Sequence, residues 1–187
     1  MILLQQTPLL ELPKATWVGT FFGDASDRQS IVGRAALSGY GDLRKHLLPK
    51  HNEEVRVWGG FGLTYLQATI FRKKDGVWTA TRLLSALPNT SRKDWTKVYA
   101  QPKSGWPTFW KKAEELGVWT LPDDSTIALA PGRGTLDGFS YVVELQRDGR
   151  YRTYTYMNPN VLPVGPEARS MIDLDRLIQA EFPRPKL

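Results

Sequence analysis

Few side chains in this chain of 187 residues stand close enough together, and are of suitable types, to do chemistry unaided. The densest group is His46, His51, Glu53 and Glu54, which combines imidazole with carboxylate. That is the donor set of a metal site or of an acid–base pair. Helical zinc sites place histidines three or four positions apart. Here the spacing is five, with Pro49 between, and the chain has only two histidines. A histidine-rich zinc site is therefore excluded, a His/carboxylate site is the weaker reading, and no metal is expected. The absence of cysteine removes thiol nucleophiles, disulfides and thiolate metal sites. Pro131-Gly132-Arg133-Gly134-Thr135 superficially resembles a phosphate cradle. It lacks the Gly-Lys-Ser/Thr ending, and a hairpin loop accounts for it better. No Gly-x-Ser-x-Gly elbow occurs, and Asp123, Asp124, Asp137 and Glu144 are too scattered to pair by sequence alone. The aromatic signature of RNA-binding sheets is missing. No catalytic residue can be named, and no cofactor is expected.

Two Asp-Gly pairs organise the remaining candidates. Asp75-Gly76 and Asp148-Gly149 each separate two runs rich in β-branched and aromatic residues. A two-residue type I′ turn needs positive φ at both central positions, which Asp-Gly supplies, so each pair predicts an antiparallel hairpin. The turn also fixes register. In the second hairpin Tyr141 faces Tyr156, Val143 faces Tyr154 and Leu145 faces Arg152 on one side. That side is either core or a surface on which tyrosines and Arg152 grip a planar or anionic group, and core is preferred. Trp58, Arg152, Tyr154, Tyr156 and Asn158 are the ligand-binding candidates. In the first hairpin Phe71 pairs with Ala80, Thr69 with Arg82 and Lys73 with Trp78. Its other side, with Leu66, Ala68, Ile70, Thr81 and Leu83, reads as core. The Phe71–Trp78–Arg82 side is then exposed or covered by a helix. Trp78 beside Lys73 and Arg82 suits a base or a sugar, or a cross-strand cation–π pair, the preferred reading. Arg72, Lys73, Lys74, Trp78 and Arg82 are the interaction candidates.

Other elements must position these residues. Trp17 to Phe22 suggests a short strand, and Asp42 to Leu48 one or two helical turns stopped by Pro49. Alternation from Val55 to Tyr65 predicts a strand broken at Gly59-Gly60. Strands Thr64–Arg72 and Val77–Leu84 flank the first turn. Pro88 to Gly105 reads as loop or short helix. A helix over Pro107–Leu116 follows from the leading proline and the closing Gly117, with Phe109, Ala113 and Leu116 on one face. Thr126–Ala130 suggests a strand, Phe139–Gln146 and Tyr151–Met157 the second hairpin. Pro166–Glu181 is an amphipathic helix facing inward through Ala168, Met171, Leu174 and Ile178.

Charge is unevenly placed. Residues 1–100 hold 14 Lys/Arg and 8 Asp/Glu, whereas residues 101–187 hold 11 of each, so the whole net charge of +6 lies in the first half. A basic half attracts nucleic acid, anionic lipid or an acidic protein, or is simply a solvated face, which is preferred. No stretch approaches the roughly 20 apolar residues of a membrane span. Met1-Ile2-Leu3-Leu4-Gln5-Gln6 is not an intact signal peptide, which leaves the cytoplasm, or the envelope if a signal has been removed.

Leu136-Asp137-Gly138-Phe139-Ser140-Tyr141, then Tyr151 through Pro159 with its Tyr154-Thr155-Tyr156-Met157-Asn158-Pro159, then Pro166-Glu167-Ala168, form a recurring pattern. With Val55-Arg56-Val57-Trp58 it resembles segments of small uncharacterised bacterial proteins, many of which carry a signal peptide. The resemblance covers about half the chain, implies no activity and leans towards the cell envelope. The expected class is α+β: an antiparallel, curved sheet with both hairpins and two main helices on one face. Residues 1–187 are expected to form a single domain, with two loosely similar halves, about 53–100 and 118–187, that duplication or chance would explain. The expected role is a non-enzymatic binding or interaction protein with a protein or small-molecule partner. A deep pocket lined by Trp58, Tyr154 and Tyr156 would favour a ligand, and a filled sheet face a surface role. The alternatives are a small hydrolase or transferase with an acid/base pair assembled by the fold, and nucleic-acid binding through the basic half.

Overall fold

The computed structural model describes residues 7–23, 30–60, 67–84, 96–127, 139–160 and 165–182. These form the strands β1 (Leu9–Glu11), β2 (Glu53–Gly60), β3 (Gln67–Lys74), β4 (Val77–Leu84), β5 (Thr96–Ala100), β6 (Ser140–Arg147) and β7 (Arg150–Met157). The helices are α1 (Trp17–Phe22), α2 (Ile31–Leu37), α3 (Trp106–Glu115) and α4 (Pro166–Glu181). One sheet runs in the order β1-β7-β6-β2-β3-β4-β5. All its pairings are antiparallel except β1 with β7. The class is α+β. No helix among the described residues is long and apolar enough to cross a membrane.

Both Asp-Gly turns form as their residue types require. Asp75 and Gly76 have φ of 51° and 81°, and Asp148 and Gly149 have 51° and 77°. The registers follow: Lys73 pairs with Trp78, Phe71 with Ala80, Val143 with Tyr154 and Leu145 with Arg152. The hairpins are not neighbours. β2 lies between them, pairing Val57 with Thr69 on one side and with Val143 on the other. Strands from both halves of the chain thus share one sheet.

Side chains alternate across the sheet, and both faces are covered. One face packs Val55, Val57, Phe71, Ala80, Val143, Leu145, Tyr154 and Tyr156 against Phe109, Trp110 and Ala113 of α3 and Met171, Leu174 and Ile178 of α4. These are the two helices expected from sequence, on one face. The opposite face packs Trp58, Ala68, Ile70, Leu83, Val142 and Tyr151 against α1 and α2.

Several local expectations need correction. Trp17–Phe22 is a helix, not a strand. Its large apolar residues fall at helical spacing, with Trp17 and Phe21 rings 6.0 Å apart, and burial against the sheet overrides aromatic β-propensity. Asp42–Leu48 makes turns only, because the Asp42 carboxylate accepts from the Arg44 backbone N–H and guanidinium. Thr96–Ala100, within the expected loop, is an edge strand whose Tyr99 is exposed and whose Lys97 ammonium donates to the Ser38 carbonyl. Asp124–Thr126 is a 3₁₀ turn, and the rest of the strand expected to Ala130 lies almost wholly outside the described residues. Leu66 and the loop Pro131–Thr135 also lie outside them.

The free edge of β7 is closed by carboxylates. β1 pairs only with Arg150, Tyr151 and Arg152. Further along, the backbone N–H of Thr155 donates to Asp123 Oδ2 at 2.9 Å, and that of Met157 to Asp124 Oδ2 at 2.7 Å. Two acidic side chains thereby stand in for a missing strand and blunt an edge that would otherwise template pairing.

Candidate functional site

At the end of the sheet where both Asp-Gly turns lie, one row of residues crosses the face that carries α3 and α4. Glu53 pairs with Lys73, and Lys73 with Trp78. Extending the β2–β6 register by one residue sets Arg147 beside Glu53. Above this row α3 begins at Trp106, with Pro107 in its first turn. Helical spacing places Trp106 and Trp110 four apart on one side of α3, over the hairpin. Gly117 (φ 81°) reverses the chain after the helix, bringing Trp119 back.

The result is a cleft of about 690 Å³ lined by Trp78, Trp106, Trp110 and Trp119, by Glu53, Lys73, Glu114 and Arg147, and by Gly76, Val77 and Pro107. That volume lies within the range of roughly 300–1,000 Å³ common for small-ligand sites. The indoles form a series: Trp106 to Trp78 is 6.2 Å between centroids, Trp78 to Trp110 is 4.2 Å, and Trp110 to Trp119 is 6.0 Å. The Arg147 guanidinium lies 4.4 Å from the Trp119 ring centroid, and the Lys73 ammonium 5.8 Å from that of Trp78. Lys73 also donates to Glu53 at 2.8 Å. The indole N–H groups of Trp110 and Trp119 are buried and have no partner among the described residues.

The candidates named from sequence scatter across the molecule. Lys73 and Trp78 line the cleft. Arg152 and Tyr154 stand behind it: Arg152 donates to the carbonyls of Trp119 (3.1 Å) and Leu121, and the Tyr154 hydroxyl to that of Val118 at 2.9 Å. Their polar groups fix the segment that presents Trp119. Burial raises the Tyr154 phenol well above its ordinary value. Tyr156 shares that face and is fully covered. Burial first, then Glu167, Asp124 and Asp123, raises its phenol. Arg82 is buried and holds the end of α4 through the Phe182 carbonyl and Gln179, at 2.9 Å for the latter. Asn158, with φ of 49°, accepts from the Phe139 N–H at 2.7 Å and closes the base of the second hairpin. Lys74 is exposed beside the first turn.

Trp58 and Arg72 lie on the opposite face, so no pocket joins Trp58 to Tyr154 and Tyr156. They belong to a buried polar layer. Glu54 accepts from Arg56 Nε and Arg72 Nε, each at 2.6 Å. Glu144 accepts from Trp58 Nε1 at 2.7 Å and from the Tyr151 hydroxyl at 3.1 Å, with Arg56 Nη1 3.8 Å away. Tyr40 covers Arg72, its ring centroid 4.4 Å from the guanidinium. Burial raises the Glu144 carboxyl, against Arg56, Trp58 and Tyr151. Burial also works to lower Arg56, but Glu54 and Glu144 outweigh it and the guanidinium is held even more firmly protonated. Each carboxylate is already occupied by donors, so this layer ties β2, β3, β6 and β7 together rather than presenting a reactive group.

Among the described residues no group of three or more His, Cys, Asp or Glu is placed to hold a metal. Trp106, Trp110, Trp119, Glu114 and Arg147 were not singled out from sequence as site residues, although the i, i+4 spacing of Trp106 and Trp110 was readable. No protein-family model matches the chain, nor does any curated protein or solved structure.

Proposed function

We propose that this chain is a non-enzymatic binding protein whose ligand occupies the tryptophan cleft at the hairpin ends. One observation carries the reading: four tryptophans and four charged side chains of both signs converge on a single cleft of about 690 Å³. Indole surface left at an open cleft is costly to hydrate, and charged groups set around it orient a ligand. The positioning of Trp119 by Arg152 and Tyr154 supports the same reading, because binding surfaces gain affinity when their anchors are held in advance. A hydrolase or transferase would have to draw on Glu53 and Glu114, the carboxylates of the cleft, and Glu53 is held by Lys73 at 2.8 Å. Nucleic-acid binding draws on the basic half. Yet Arg44, Arg56, Arg72 and Lys73 of that half are paired with Asp42, Glu54 and Glu53.

A fragment panel scored by thermal shift tests the proposal, since a ligand that binds only the folded state raises the midpoint. Hits should lose their shift in Trp119→Ala and Arg147→Ala and keep it in Lys45→Ala, at an exposed position outside the cleft lining. Hits unaffected by both cleft variants would refute it.

A further inference from the structure

We infer that the cleft takes a neutral saccharide whose pyranose faces rest on the indoles that line it. The inference rests on the binding reading above and goes beyond it to ligand chemistry. The charges lining the cleft cancel: Lys73 and Arg147 against Glu53 and Glu114. A polyanion would meet both carboxylates, and a polycation both basic groups, so neither is matched. A purely apolar or aromatic ligand would satisfy the indoles. It would, however, strip water from Glu114 and Arg147 without replacing their hydrogen bonds, at the cost of desolvated charge.

A pyranose answers both demands. Its C–H faces are apolar and flat enough to lie on an indole. Its hydroxyls each donate once and accept twice, so one ring donates to a carboxylate while accepting from a guanidinium, an ammonium or an indole N–H. The cleft offers that mixture. Glu53 and Glu114 accept, while Lys73 and Arg147 donate. The tryptophans also run in series, centroid separations of 6.2, 4.2 and 6.0 Å leading from Trp106 to Trp119. Trp110 is buried and packs against Trp78 and Trp119, so the half-buried Trp78, Trp106 and Trp119 supply the apolar surface that a pyranose face meets.

Isothermal titration tests this with cellohexaose, chitohexaose, maltohexaose and xylohexaose as neutral probes. Hexagalacturonate, the chitosan hexamer and indole-3-acetate serve as anionic, cationic and apolar comparators. At least one neutral hexasaccharide should bind, with affinity changing by less than about twofold as salt is raised, because no net charge is screened. Glu114→Ala and Arg147→Ala, both at exposed side chains, should each weaken it about tenfold, the ratio that 1.4 kcal/mol carries. Circular dichroism should show the fold unchanged in both. Binding of only charged or apolar comparators, abolished by the same variants, would overturn the saccharide inference and keep the cleft as a binding site. Silence of every neutral probe also overturns it. Silence of every probe, together with fragment hits that ignore the cleft variants, would overturn the binding reading itself.

Discussion

Glu54→Gln is the sharpest test of how the sheet that carries the cleft is held. Glu54 is 1% exposed and accepts from two guanidinium Nε atoms, Arg56 and Arg72, each at 2.6 Å. Glutamine has nearly the same shape but carries an amide NH2 where one carboxylate oxygen stood. That sets donor against donor at one arginine and weakens a charge-assisted bond at the other. Arg56 is 2% exposed, so water cannot replace what it loses, and its remaining carboxylate, Glu144, lies 3.8 Å away. Removing one partner of a buried ion pair costs about 3–5 kcal/mol. Arg72 provides the internal control. Its side chain is 45% exposed, so Arg72→Met should cost only about 1 kcal/mol. Urea denaturation of both variants measures the difference. A cost under about 1 kcal/mol for Glu54→Gln, or equal costs for the two, would refute the argument that Arg56 depends on Glu54.

Further consequences concern the β7 edge and the segment behind the cleft. Burial first, then the neighbouring Asp123, lifts Asp124 to about 6 from 3.8, against the Met157 and Ser125 N–H groups. A carboxyl raised on folding costs stability when ionised. That cost is present above about pH 6 and fades as pH falls towards 4. Asp124→Asn, which keeps an acceptor for the Met157 N–H, should therefore be more stable than the parent at pH 7.5, with the gap closing near pH 4. A gap that does not change across thermal melts at the two pH values would contradict this. Arg152→Met removes two bonds from a guanidinium to the Trp119 and Leu121 carbonyls. It should cost about 2 kcal/mol, red-shift tryptophan emission and weaken any cleft ligand. A ligand bound as tightly by the variant as by the parent would show that Trp119 is not held from behind.

The parts of the fold legible in the sequence were those fixed by short-range chemistry. Asp75-Gly76 and Asp148-Gly149 specified both turns and, through them, every pairing within the two hairpins. Pro107 and Gly117 bracketed α3, and the spacing of Met171, Leu174 and Ile178 marked the buried side of α4. What stayed illegible was set by distant partners. Nothing local places β2 between the hairpins, so nothing local sets Arg147 beside Glu53 or joins Glu54 to Arg72. Trp17–Phe22 became helical because its aromatic residues cover Trp58 and its neighbours on the sheet. The site shows the same division. Lys73 and Trp78 were legible as a cross-strand pair, whereas Trp119 reaches them only through the reversal at Gly117 and the grip of Arg152.

The most direct test of the cleft is to label the indole nitrogens and follow their N–H resonances during titration with a ligand found by screening. If the cleft is the binding site, the signals of Trp78, Trp106, Trp110 and Trp119 move, because the indoles that line it change surroundings when it fills. Those of Trp17 and Trp58, on the far face of the sheet and already bonded to Asp123 and Glu144, stay in place. Movement at Trp17 and Trp58 with the cleft signals unchanged would contradict the account.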